Sequence, residues 1–206
     1  MSKFPPVKLW NTRNKLYNKN MTKYVLHGGF DKNKGYIEDE FFQEALKNTE
    51  ENVKILLVFF AESEEYLELR IKQCKEQFDK NKGSKNIEFK IASEENFLEN
   101  CDWADVIFLS GGRTVKIIDK LKQFQNLKKV FEGKTIVGDS AGVNVLAQLF
   151  YSRKSKEIRK GLGILPLKII VHYTEDIGNP LAEIEPNFET IFCMNMKLSL
   201  AIINYY

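Results

Sequence analysis

Short apolar runs recur along the chain, separated by stretches rich in charge. They cover residues 23–29, 54–60, 87–92, 105–110, 135–138 and 168–172. The runs that begin at residues 54, 105 and 168 are nearly continuous in apolar residues, which is typical of strands buried on both faces of a parallel sheet. We therefore expect the runs to form the strands of one mostly parallel sheet.

The stretches between these runs carry apolar residues at spacings of three and four. Residues 41–46 and 66–78 show this spacing, which is typical of amphipathic helices. Residues 115–121 and 143–150 each follow a glycine-containing turn and are also predicted to be helical. Strands that alternate with helices indicate βαβ crossovers. The predicted fold class is therefore α/β, with a doubly wound, three-layer arrangement.

One domain accounts for most of the chain. Residues 1–20 show neither a helical nor a strand period, so we expect a poorly ordered N-terminal extension there. Residues 21–191 are expected to form a single α/β domain, since no repeat or low-complexity linker interrupts them. Residues 192–206 form an apolar string that ends without a turn or cap signal, and the sequence does not place them.

Composition narrows the function classes. The chain has 206 residues, of which 43% are hydrophobic and 29% charged, so a globular fold is expected. Two histidines and three cysteines without a C-x-x-C pair argue against a zinc module and a disulfide framework. A net charge of +3 is too small to indicate a nucleic acid or an anionic membrane as a partner.

No membrane span or secretory signal is evident. The longest apolar run has 7 residues, whereas a transmembrane helix needs about 20. The N-terminal segment lacks the apolar core of a signal peptide. Together with the unpaired cysteines, these features predict a cytoplasmic protein.

The strongest chemical motif lies at residues 138–142, which fit the pattern G-x-S-x-G around Ser140. The motif stands between a predicted strand and a predicted helix, which is the setting of a nucleophile elbow. Its small residues are needed because larger side chains would collide with the sheet and the helix. We expect the Ser140 hydroxyl to project at the carboxyl end of a strand, with the backbone N–H of Ala141 as one oxyanion donor.

A second motif, the glycine pair Gly111 and Gly112, ends the preceding buried strand and is followed by Arg113. Neighbouring strands of a parallel sheet share one ligand-binding edge at their carboxyl ends. Glycines allow the backbone to approach a substrate, so the N–H of Gly112 is a candidate second oxyanion donor. Arg113 is a candidate to pair with a substrate carboxylate, because it stands beside this site.

His172 is the candidate general base. It ends a predicted strand 32 residues after Ser140, and histidine titrates near neutral pH. His27 also ends a strand, but no nucleophile motif adjoins it, so we assign it either a structural role or a role in supporting the residues of the site. A third, acidic residue should orient the base. The candidates are Glu157, Glu175 and Asp176, and the sequence does not choose among them.

Two families share parts of this pattern. The motif at 138–142 together with His27-Gly28-Gly29 is similar to the hormone-sensitive-lipase branch of the α/β-hydrolases, but those enzymes place their histidine near the C-terminus. The chain more closely resembles the dipeptidase E and cyanophycinase family of serine peptidases, within the class I glutamine amidotransferase-like superfamily. The resemblance covers residues 22–190 and rests on Leu26–Gly29, on the segments at 108–112, 138–144 and 161–167, and on the histidine of 171–173.

The resemblance implies a flavodoxin-like sheet, a Ser140 nucleophile, a His172 base and oxyanion donors at Gly112 and Ala141. Besides its unmatched ends, the chain departs from the family at two candidate site positions. Relatives often carry Asn where this chain has Arg113, and dipeptidase E has an aspartate in the segment where this chain offers Ser155 and Glu157.

We therefore expect a serine peptidase that acts on small peptides, needs no metal or organic cofactor, and has neither nucleic acid nor membrane as a partner. A homodimer is left open. One alternative is a non-catalytic binding protein on the same fold, since fold alone does not establish chemistry. The other is a glutamine amidotransferase-like domain, which would require cysteine at the position of Ser140.

Overall fold

The computed structural model of the protein describes residues 21–30, 36, 38–195 and 198–201. The described strands are β1 (Lys23–His27), β2 (Asn52–Val58), β3 (Asn86–Ile91), β4 (Val106–Leu109), β5 (Thr135–Asp139), β6 (Ala147–Ser152), β7 (Glu157–Lys160), β8 (Leu165–Tyr173), β9 (Thr190–Met194) and β10 (Leu198–Ala201). The helices are α1 (Asp39–Leu46), α2 (Glu64–Asn81), α3 (Phe97–Trp103), α4 (Thr114–Leu121), α5 (Leu127–Val130) and α6 (Ala141–Leu146), with a 3₁₀ helix at Glu175–Ile177.

The main sheet has six strands in the order β10-β1-β5-β4-β2-β3. Five of them run parallel, and β10 joins the edge antiparallel to β1. Helices flank this sheet, so the predicted α/β class with a mostly parallel central sheet is confirmed. In the parallel register Leu109 pairs with Gly138, which brings the carboxyl ends of β4 and β5 to the same edge.

Both faces of the main sheet are buried, because alternate residues of β2 belong to two different hydrophobic cores. Leu56 and Val58 belong to one hydrophobic core, whereas Ile55 and Leu57 belong to the other. The second core is closed by α1 and α2, and the first by α3, α4 and α6. Side chains alternate across a strand, so a nearly continuous apolar run is what a strand covered on both faces requires.

A second sheet, in the order β7-β6-β8-β9, carries part of the chain that the sequence assigned to the main sheet. The run that begins at residue 168 lies here, in β8, between β6 and β9, both of which run parallel to it. The prediction of a single sheet is therefore wrong in this respect. Buried residues of β6 and β8, such as Phe150 and Ile169, pack into the first core of the main sheet.

The helix predicted over 143–150 is also too long. Helix α6 ends at Leu146, and Ala147 already has the extended backbone (φ −68°, ψ 157°) that opens β6. Pairing of β6 with both β7 and β8 satisfies its backbone groups, and this tertiary pairing overrides the helical spacing of the apolar residues.

The apolar string that the sequence left unplaced contributes to both sheets. The expected domain boundary at residue 191 falls inside β9, and β10 follows at Leu198–Ala201. The expected N-terminal extension at 1–20, and residues 202–206, lie outside the described residues. Among the described helices, none combines the length and apolar character that crossing a membrane requires.

Candidate active site

Ser140 occupies the turn between β5 and α6 and has an unusual backbone conformation, with φ 45° and ψ −96°. Its N–H donates to the backbone oxygen of His27 at 3.0 Å, and its own carbonyl accepts from the N–H groups of Val143 and Asn144, both at 3.0 Å. A positive φ is costly for a residue with a side chain, and such strain is typical of functional turns. The hydroxyl is half-buried at the carboxyl edge of the main sheet.

The two glycines of the motif are required by close backbone contacts. A Cβ on Gly142 would lie 2.0 Å from the carbonyl oxygen of Leu109, and one on Gly138 would lie 3.0 Å from the oxygen of Gly142. The expected collision of larger residues with the sheet and the helix is therefore confirmed. Ala141 is the first residue of α6, and the first N–H groups of a helix have no partner within it.

His172 lies opposite Ser140, near the end of β8. Its Nε2 is 2.7 Å from the Ser140 hydroxyl oxygen. The residue has φ 53° and sits where the pairing of β8 with β9 slips between Val171 and Tyr173. Its N–H donates to the carbonyl of Gly28 at 2.9 Å. The irregularity in the strand thus turns the imidazole toward the elbow.

The loop after β1 forms the floor under the His172 ring. A Cβ on Gly29, whose φ is +120°, would lie 2.0 Å from Cε1 of His172. A Cβ on Gly28 would lie 2.1 Å from the carbonyl oxygen of Met194 in β9. The glycine pair that follows His27 is therefore needed for close packing against the second sheet. The glycine pair was noted in the sequence, but its close packing against His172 was not predicted.

The other ring nitrogen of His172 contacts Asn195, the residue that directly follows β9. Nδ1 forms a short hydrogen bond with the Asn195 side-chain oxygen, Oδ1. An amide oxygen only accepts, so this contact favours a proton on Nδ1 and leaves a lone pair on Nε2 toward the Ser140 hydroxyl. Asn195 was not among the predicted site residues. The parallel neighbours β8 and β9 end side by side, which is the signal that would have pointed to it.

The structure brings none of the three predicted acidic residues to the position that Asn195 occupies. Glu157 is exposed in β7, where its carboxylate accepts from the Arg159 guanidinium at 2.6 Å, and this hydrogen bond lowers the pKa of Glu157. Glu175 and Asp176 are exposed in the 3₁₀ helix after β8, and a hydrogen bond from Thr174 lowers the pKa of Asp176.

Gly111, Gly112 and Arg113 follow β4 at the same sheet edge as the elbow. Gly112 has φ 132°, and a Cβ there would lie 2.4 Å from the carbonyl oxygen of Ala61. A Cβ on Gly111 would lie 2.4 Å from a carboxylate oxygen of Asp139. Arg113 precedes α4, donates its N–H to the Ala61 carbonyl at 2.8 Å, and is exposed.

His27 lies apart from the Ser140 hydroxyl, in a wholly buried position between two carboxylates. Its Nδ1 is 3.2 Å from Asp139, and its Nε2 is 2.7 Å from Glu38. Burial by itself lowers the pKa of His27, but the hydrogen bonds and charges of Asp139 and Glu38 together outweigh it and raise that pKa.

Among the residues that the structure describes, no group of three or more His, Cys, Asp or Glu side chains is suited to hold a metal ion. The site around Ser140 presents a hydroxyl, an imidazole and backbone N–H groups. These are the components of nucleophilic acyl transfer.

Comparisons with known proteins find a family model and solved structures that are similar to this chain. The family model of peptidase family S51 matches residues 25–198. A candidate peptidase E from Listeria monocytogenes EGD-e superposes with a TM-score of 0.58 at 15% identity, covering 89% of this chain and 100% of that one. A peptidase from an acI-B1 Actinobacterium gives 0.59 at 19% identity, covering 84% of this chain and 79% of that one. A search of curated protein sequences finds no match.

The two solved structures have low sequence identity and therefore show the fold, whereas the family model spans most of the chain and includes both Ser140 and His172. The resemblance to dipeptidase E proteins drawn from the sequence is confirmed. The chain belongs to peptidase family S51.

Proposed function

We propose that the protein is a serine peptidase that hydrolyses small peptides, with Ser140 as the nucleophile and His172 as the general base. The observation that carries this proposal is the 2.7 Å contact between the Ser140 hydroxyl and Nε2 of His172. A general base must lie within hydrogen-bond reach of the proton that it removes, and this contact meets that requirement. Family membership supports peptidase activity in general.

The reaction follows from these positions. The Ser140 oxygen attacks the peptide carbonyl carbon while its proton moves to Nε2 of His172. The resulting tetrahedral intermediate collapses as His172 protonates the departing amine, and the C–N bond breaks to leave an acyl ester on Ser140. Water, activated by the same imidazole, then attacks the ester and releases the acid, which restores both side chains.

Two backbone N–H groups are proposed to hold the oxyanion. Ala141 opens α6, where an N–H without a helical partner and the positive end of the helix both favour a negative oxygen. Gly112 follows the neighbouring strand β4 at the same edge of the sheet. Such donors are most effective when they are fixed before the reaction begins, as backbone groups in packed turns are.

Asn195 is proposed to orient the imidazole. Through Nδ1 it favours the ring tautomer in which Nε2 is free to accept the serine proton. A neutral amide gives the imidazolium that forms during the reaction less electrostatic support than a carboxylate would. The proposed arrangement is thus Ser140, His172 and Asn195, in place of the acidic third residue expected from the sequence.

A panel of unmodified dipeptides and tripeptides tests the proposal, with amine release measured by a fluorogenic amine reagent. The wild-type protein should hydrolyse some members, and Ser140→Ala should lose that activity. Ser84→Ala is the matched control, because Ser84 is an exposed serine in the turn between α2 and β3. Equal activity in wild type and Ser140→Ala would show that the peptidase activity does not come from this site.

A further inference from the structure

His27, Asp139 and Glu38 form a buried cluster that the catalytic steps do not use. The imidazole is 0% exposed and contacts one carboxylate through each ring nitrogen. Phe30 stacks on the ring at a centroid distance of 4.0 Å, and Phe41 lies at 4.9 Å. Apolar residues around a charged cluster keep water away from it, and the hydrogen bonds within the cluster are stronger as a result.

One end of the cluster reaches the nucleophile. Asp139 directly precedes Ser140, and its other carboxylate oxygen lies over Gly111 of the glycine pair. The backbone of His27 adds a second link, because its carbonyl accepts the Ser140 N–H at 3.0 Å. The position of the elbow therefore depends on where His27 is held.

The other end of the cluster reaches the segment that carries Asn195. Glu38 uses Oε2 to accept from His27, and it uses Oε1 to accept the backbone N–H of Leu198 at 3.0 Å. Leu198 begins β10, three residues beyond Asn195. Glu38 thus fixes the start of the strand that follows the orienting residue of the imidazole.

The groups that contact the two ring nitrogens of His27 indicate which of these nitrogens carry a proton. The N–H of Gly29 lies 3.1 Å from Nδ1 and would donate to it if that nitrogen carried no proton, whereas the Asp139 carboxylate at 3.2 Å can accept only from a protonated Nδ1. A bare Nδ1 would face the lone pairs of the Asp139 carboxylate, so the charged ring with a proton on each nitrogen is the arrangement that suits both carboxylates.

We propose that His27 and Glu38 act as a positioning clamp, which holds the Asn195 segment in register with the nucleophile elbow so that His172 is oriented toward Ser140. The effect of the clamp on catalysis rests on the proposed function. Neither residue touches a reacting atom. Their effect on the reaction is transmitted through Asp139 on one side and through Leu198 on the other.

Glu38→Gln tests the clamp with little change of shape. His27 and the Leu198 N–H contact different oxygens of Glu38, and in glutamine one of these becomes an NH2 group that only donates, so one of the two contacts would set a donor against a donor. Glu40→Gln is the matched control, because Glu40 is exposed in the first turn of α1. We expect Glu38→Gln to lower kcat by about 10- to 100-fold, with KM little changed, as small misplacements of catalytic groups commonly do.

A spectroscopic readout separates positioning from simple stability. The chain has two histidines, so ¹⁵N-labelled imidazole spectra contain two rings, and His27→Gln assigns them. In the wild type we expect His172 to be held as the Nδ1–H tautomer. In Glu38→Gln, and likewise in Asn195→Ala, the His172 signals should shift toward a mixture of tautomers. A folded Glu38→Gln protein with wild-type kcat and wild-type His172 signals would overturn the clamp.

The wild-type protein provides a test that needs no folded variant. If Glu38 holds β10, the Leu198 amide hydrogen should exchange more slowly than the amides of exposed turns, and rapid exchange there would overturn the clamp. The imidazole and exchange measurements do not depend on peptide hydrolysis. An inactive wild type with an ordered Leu198 amide would therefore refute the proposed function and leave the clamp standing.

Discussion

Gly29 lies directly beneath the His172 ring, so closely that a Cβ at this position would be 2.0 Å from Cε1 of that ring. We therefore predict that Gly29→Ala displaces the imidazole from Ser140 and lowers kcat by about 100-fold or more. The measurement is peptide hydrolysis at saturating substrate, together with thermal unfolding to establish that the variant is folded.

Gly83→Ala is the control for backbone strain in this comparison. Gly83 also has a positive φ, of +59°, but a Cβ there meets nothing within 4 Å. We expect this variant to lose about 1 kcal/mol of stability and none of its activity. Equal activity in Gly29→Ala and Gly83→Ala would show that the ring does not need the support of Gly29.

Asn195 and Glu157 compete for the role of the third site residue. Because Asn195 contacts Nδ1 of His172 and Glu157 is exposed and paired with Arg159, we predict that Asn195→Ala lowers kcat whereas Glu157→Gln leaves it unchanged. The expected loss in Asn195→Ala is on the order of 10- to 100-fold, the range that small misplacements of a catalytic group commonly cost.

Asn195→Asp adds a sharper comparison. A carboxylate at this position would stabilise the imidazolium, so the acidic limb of the rate profile should move to higher pH while activity is retained. A loss of activity in Glu157→Gln comparable to that in Asn195→Ala would show that Glu157 contributes to the site as the third residue.

The buried charge cluster predicts a pH dependence of stability. The pKa of His27 is raised above its ordinary value of 6.5 in the folded chain, so the charged ring stabilises the fold fully below pH 6.5, and this contribution is lost as the pH rises through the folded pKa. The groups that face the ring are Asp139 from β5 and Glu38 before α1, and the Asp139 charge also reaches the buried Tyr36 and Cys74.

The measurement is the Tm of wild type and His27→Gln as a function of pH, from about pH 5 upward, so that the range includes the ordinary pKa of histidine. The difference in Tm should be largest near the acidic end of this range and should shrink as the pH rises. A difference that is constant over this range would show that folding does not raise the pKa of His27, and one that grows with pH would show that folding lowers it.

Arg113 offers a prediction about substrate preference. Its side chain is exposed after the glycine pair, at the edge of the sheet where the elbow lies, and a guanidinium pairs well with a carboxylate. We expect Arg113→Ala to raise KM for acidic peptides by about tenfold relative to neutral ones. Arg159→Ala, which removes a partly exposed arginine from β7, is the control. An unchanged preference in Arg113→Ala would show that Arg113 does not bind the substrate carboxylate.

The sequence predicted the central pair of the site because each residue carries a local signal. Ser140 stands in a turn with small neighbours, and His172 ends an apolar run, so both were expected at the carboxyl ends of strands. Their contact follows from that placement even though β8 belongs to a second sheet, because the two sheets share one core.

Asn195 could not be found in the same way. It lies in an apolar string without turn or cap signals, and its contact with His172 depends on the parallel pairing of β9 with β8, which is a long-range contact. The role of Glu38 was hidden for a similar reason, since its partner Leu198 is 160 residues away along the chain. Local patterns predict elements and turns, whereas partners of this kind are set by how distant strands meet.

Labelling with a serine-directed fluorophosphonate probe tests the central claim most directly, since the probe reacts with a hydroxyl that a neighbouring base has activated. The site of labelling is read by mass spectrometry of proteolytic peptides. We predict one modified residue, Ser140, with no label in Ser140→Ala and much slower labelling in His172→Gln. A folded wild-type protein that takes no label, or a label that persists in Ser140→Ala, would contradict the assignment of Ser140 as the nucleophile.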